Sequence, residues 1–143
     1  MELEMKKSFK YQFADSWLLL AIIYAHNQKK SDLASIIAYG DYINHAIFTL
    51  EELQGGFFRL FKSGCVLKEK DEYIPSKEII EFYKNSCSSR KVVMKDLECV
   101  QEELRMPDWD SKYDPSQANK DGIYKDITQE VYDKAVVLYK NSL

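Results

Sequence analysis

From Trp17 to Ala25 the chain runs through nine uncharged residues, eight of them apolar by any measure and the ninth Tyr24. That stretch limits the fold more than anything else in the sequence. Leu18, Leu19, Leu20, Ile22 and Ile23 point all round a helix, so a helix over 15–28 needs cover on several sides and belongs at the centre of a helical domain. The run is about half the ~20 residues needed to span a bilayer. Glu2, Glu4 and Asp15 precede it, and Asn27-Gln28-Lys29-Lys30 follows with no small-x-small cleavage pattern. It therefore reads as neither a membrane span nor a signal peptide.

The rest of the composition agrees with a helical domain. Five Gly and three Pro among 143 residues argue against a turn-dense β-sandwich, and 45% hydrophobic content excludes a collagen-like or wholly disordered chain. The length suits one domain. Twenty Lys and Arg stand against 23 Asp and Glu, a net charge of −3, so any attraction to nucleic acid has to come from a local patch. Cys65, Cys87 and Cys99 are odd in number and lack CxxC spacing. With only His26 and His45 beside them, reduced thiols in a cytoplasmic protein are expected, with no metal site and no cofactor.

Several boundaries are written locally. Phe9, Tyr11 and Phe13 alternate with polar residues in a short strand-like arm, residues 1–14. Its aromatics and Lys6, Lys7 and Lys10 suggest either a nucleic-acid arm or, preferably, a segment laid against the domain. Ser31 or Asp32 caps a second helix, 32–44, with Leu33, Ile36, Ile37, Gly40 and Ile43 on its apolar side. Thr49-Leu50-Glu51-Glu52 is a capping box, flanked by Phe48 and Leu53 at the positions of a hydrophobic staple. The helix it starts, 50–63, carries Leu50, Leu53, Phe57, Leu60 and Phe61, and Gly64 stops it. Gly55-Gly56 inside that helix costs about 1 kcal/mol per Gly relative to Ala, which implies a kink or a close neighbour. A short hairpin with a charged tip, 65–74, comes next. Helices over 77–87, 90–105 and 128–142 complete the chain, with a long Asp-rich loop at 107–127 before the last. The expected fold is mainly α with one small β-hairpin.

Helix, helix, turn, helix and hairpin over 15–76 is the element order of a winged helix-turn-helix. Asp32-Leu33-x-x-Ile36-Ile37, the turn Asn44-His45-x-Ile47-x-Thr49, and Leu53 to Leu60 carry the likeness. So do Phe61-Lys62-Ser63-Gly64-Cys65-Val66 and the exit Tyr73-Ile74-Pro75-Ser76. This region, a little under half the chain, resembles winged-helix regulators of the general MarR or PadR kind, with residues 77–143 as a helical C-terminal extension of the same domain. The resemblance implies that the third helix enters the major groove of double-stranded DNA. Gln54, Arg59 and Lys62 on that helix, with Lys68 and Lys70 on the wing, are then the DNA-binding candidates. Glu51, Glu52, Glu69, Asp71 and Glu72 oppose them, because acidic groups repel phosphate. Winged helices also serve as protein-interaction modules. Transcription regulation through DNA is thus the first expectation, and a protein-interaction or assembly module that does not bind DNA is the alternative.

Other constellations are weaker. Asp41 and His45, four apart, match half of a metal site with no third ligand, and a histidine at a helix C-terminus is the simpler reading. No catalytic frame places Ser, His and Asp together, so an enzyme is not expected. Trp109, Tyr113 and Tyr124 in the long loop either line a partner or ligand site or pin the loop to the core; the second is preferred. Glu98, Glu102 and Glu103 read as a solvated helix face. Val131, Ala135, Leu138 and Tyr139 form an apolar stripe that either pairs with the first helix across a two-fold to make a homodimer or covers the first helix within one chain.

Overall fold

The computed structural model describes residues 11–87, 92–105 and 122–143. Its elements are α1 (Phe13–Asn27), α2 (Leu33–Asn44), α3 (Leu50–Lys62), β1 (Val66–Glu69), β2 (Glu72–Pro75), α4 (Lys77–Phe82), α5 (Val93–Leu104) and α6 (Gln129–Asn141). A π-helical turn, Tyr83–Cys87, continues α4. The molecule is mainly α with one antiparallel two-stranded sheet, paired Val66 with Pro75 through Glu69 with Glu72.

Helix α1 takes the central place that its uninterrupted apolar surface demands. Trp17 through Ile23 are all buried, and α2, α3, α5 and β2 pack around the helix. It begins two residues earlier than the periodicity suggests. Phe13 therefore belongs to the helix and not to an extended arm, and the Gln12 amide is held by the Asp15 carboxylate at 2.7 Å. Tyr11 lies against the end of α3, its hydroxyl hydrogen-bonded to that of Ser63. The remainder of the arm, including Phe9 and Lys6, Lys7 and Lys10, lies outside the described residues.

The capping box forms as the sequence specifies. The Glu52 amide donates to Thr49 Oγ1 at 3.0 Å, and the Thr49 amide donates to Glu52 Oε1 at 2.9 Å. Phe48 and Leu53 on either side are fully buried. Of the two explanations for the glycines in α3, close approach is the one realised at Gly56. A Cβ there would lie 2.7 Å from Leu18 Cδ2 of α1, so the bare backbone lets the two helices meet. At Gly40 in α2 the Phe48 ring occupies the space a Cβ would need. The same ring stacks on Trp17, whose indole N–H donates to the Gly40 carbonyl at 2.8 Å.

The C-terminal part differs from expectation in three ways. Cys87 and Cys99 are joined as a disulfide, with Cα atoms 5.8 Å apart. The expectation of three reduced thiols is thereby corrected, and only Cys65 remains as a thiol, buried. Helix α4 gives way to its π-helical turn, which brings Cys87 to face α5. Finally, the apolar stripe of α6 divides. Ala135 and Tyr139 are buried where α6 packs on α2, whereas Val131 and Leu138, the latter 63% exposed, face outward. Tyr132 donates to the Phe48 carbonyl at 2.6 Å, and Tyr139 donates to the Asp41 carboxylate. Hence α6 packs on α2 rather than on α1, and α1 is buried from Asp15 to Ile23 within the one chain.

Candidate functional site

The five cations and amides expected to face DNA are mostly committed within the chain. Arg59 donates from Nε and Nη2 to the two carboxylate oxygens of Asp15 at 2.7 and 2.9 Å. Asp15 is fully buried in the first turn of α1. Burial pushes its carboxyl above the ordinary aspartate range, and the Arg59 guanidinium, helped by the Gln12 amide, pulls against that shift. A planar fork fixed on two oxygens is not available to phosphate. Gln54 donates from its side chain to the Ile127 carbonyl at 2.8 Å, and its own carbonyl accepts from the Tyr124 amide at 3.1 Å. Lys62 is 1% exposed, with its ammonium 5.1 Å from the centre of the Phe58 ring. The sequence reading places it outward; the structure places it inside.

The wing keeps more of its charge in solvent. Lys68 is exposed but sits 3.4 Å from the Asp126 carboxylate and 5.6 Å from the centre of the Tyr73 ring. Lys70 is exposed at the hairpin turn, in the left-handed region at φ 57°. Glu69, Asp71 and Glu72 around them are exposed too, so carboxylates outnumber ammonium groups on this surface.

Residues 122–127 close the other side of α3. Tyr124 packs on Phe57, Phe61 and Tyr73, its ring stacked on Phe61 at 4.7 Å. Burial raises the Tyr124 and Tyr73 phenols, that of Tyr73 to about 12. For Tyr124, the pinning role is the one realised. Trp109 and Tyr113 lie outside the described residues. Asp41 and His45 do not assemble a site. His45 caps α2 in the left-handed conformation, its amide on the Asp41 carbonyl, while the Asp41 side chain is turned to Tyr139. Among the described residues no three metal-ligating side chains cluster, and no helix is long and apolar enough to cross a membrane.

A different concave site lies between the end of α1, α2, the π-helical turn and the start of α5. It is a cleft of about 400 Å³ lined by Tyr24, Tyr39, Tyr42, Tyr83, Val93 and Asp96, within the size range of small-molecule sites. Asp96 is only 3% exposed. Its Oδ2 accepts from Tyr24 at 2.8 Å and from Tyr83 at 2.7 Å. Both phenols are pushed well above their ordinary range, first by burial and then by the bond to Asp96. The Tyr24 ring stands nearly perpendicular to Tyr39, 6.3 Å between centres, and 6.4 Å from Tyr42. Sequence reasoning missed this site. One local signal was present, Tyr39 and Tyr42 three apart on one helix face. Asp96, however, is joined to Tyr24 across 72 positions, which no local pattern records.

No family model, curated protein or solved structure matches the chain at a significant level.

Proposed function

We propose that the chain is a winged-helix protein-interaction or assembly module whose third helix and wing do not read DNA. The element order supports the winged-helix part. Three helices are followed by a two-stranded hairpin, and the hairpin is tied to the start of α2 by the Tyr73 amide on the Ser31 carbonyl at 2.9 Å. One observation carries the choice between the two roles: the donors of α3 are spent on the chain's own carboxylate and carbonyl groups, Arg59 on Asp15 and Gln54 on Ile127. Releasing Arg59 to a phosphate leaves a buried carboxylate without its counter-charge, which costs several kcal/mol. On α3 and the wing, Lys68 and Lys70 then remain as the exposed cations for counterion release, the main source of affinity for duplex.

The test is a mobility shift against mixed duplex at low salt. The expected result is no retarded complex at micromolar protein. Retardation that weakens steeply with added salt, and that disappears in the Lys68→Glu, Lys70→Glu double variant, overturns the proposal in favour of DNA reading by the wing.

A further inference from the structure

We propose that the tyrosine-lined cleft is a receptor for an alkylammonium group, carried either by a lysine or N-methylated lysine side chain or by a free quaternary ammonium compound. The inference is independent of the role of α3, none of whose residues line the cleft.

Three features converge on that chemistry. First, the walls are aromatic on several sides: Tyr24, Tyr39 and Tyr42 come from two neighbouring helices, and Tyr83 comes from the π-helical turn. Aromatic faces attract cations through the ring quadrupole, and a box of such faces suits an ammonium whose methyl or methylene groups also need apolar contact. Second, the polar group at the site has the complementary sign. Asp96 receives the hydroxyls of Tyr24 and Tyr83 on one oxygen. Those phenols donate to a carboxylate, which returns electron density to their rings and makes the faces more negative. Third, the backbone field agrees. The cleft also takes in Asn27 and Gln28 at the carboxyl end of α1, where a helix carries partial negative charge. No Lys or Arg is among the described residues that line it.

The test is a chemical-shift titration of the full chain. The probes are choline chloride, its neutral isostere 3,3-dimethylbutan-1-ol, and a short Gly-flanked peptide carrying one trimethyllysine. Choline is expected to shift the Tyr24, Tyr39 and Tyr42 amide resonances saturably, with the isostere weaker by about tenfold or more. Tyr42, 61% exposed, can be changed without touching the core. Tyr42→Leu is expected to weaken choline severalfold, and Tyr42→Phe to preserve it. Tighter binding of the peptide than of choline assigns the ammonium to a protein partner; equal or weaker binding assigns it to a free compound. An isostere that binds as tightly as choline overturns the proposal, as does the lack of a saturable choline shift at these tyrosines.

Discussion

Asp15 and Arg59 show how one residue pair redirects a surface. The sequence presents Arg59 as an outward donor on an amphipathic helix, but its partner is 44 positions away, buried at the start of α1. Replacing Arg59 by Met leaves the Asp15 carboxyl in the core with nothing to balance its charge, and the expected cost is about 3–5 kcal/mol at pH 7. The cost should depend on pH in a defined direction. Without Arg59, burial alone holds the folded-state pKa of Asp15 above its unfolded value. The folded variant then keeps a proton that the unfolded chain releases, so its stability falls as pH rises through that window. Urea melts of parent and variant at pH 7 and near pH 4 should therefore show a smaller gap at the lower pH. An equal gap at both, or a loss under about 1 kcal/mol at pH 7, means that the pair is not held inside as described.

At the scale of elements, the parts encoded by neighbours in sequence were legible. The α3 cap needs only Thr49 and Glu52, three apart, and α1 needs only its own apolar residues to declare itself central. Rotation about a helix axis is harder to read. The α3 pattern marks Leu50, Leu53, Phe57, Leu60 and Phe61 as its apolar side; Leu50 is only half-buried, while Phe58 and Lys62 are buried as well, because more than one neighbour covers the helix. The divided stripe of α6 has the opposite cause: one neighbour, α2, reaches Ala135 and Tyr139 and leaves Val131 and Leu138 outside. The disulfide was illegible for a third reason. Cys87 and Cys99 are 12 apart across two helical segments, with Cys87 on the π-helical turn and not on a regular helix face. Closing a loop of this length restricts the unfolded chain, so Cys99→Ser is expected to cost about 2–3 kcal/mol. Urea unfolding with and without reductant checks this. The parent should lose that stability on reduction and the variant should not respond; a parent indifferent to reductant contradicts the bridge.

Across the whole molecule, α3 is closed by its own chain. Residues 122–127 lie along it, with the Tyr124 amide on the Gln54 carbonyl, the Gln54 side chain on the Ile127 carbonyl, and the Tyr124 ring on Phe57 and Phe61. The mainly α character with one small hairpin could be seen in the sequence, whereas this closure could not, since it joins positions some 70 apart and leaves no periodic trace. The tyrosine cleft escaped for the same reason. Native-state amide hydrogen exchange tests the closure most directly, because amides that share one cooperative unit open together. The Tyr124 and Ile127 amides are expected to be protected, with opening free energies that match those of the α3 amides from Phe57 to Phe61. Exchange of Tyr124 and Ile127 at the rate of an open loop, with α3 still protected, would contradict it and return the face of α3 to solvent.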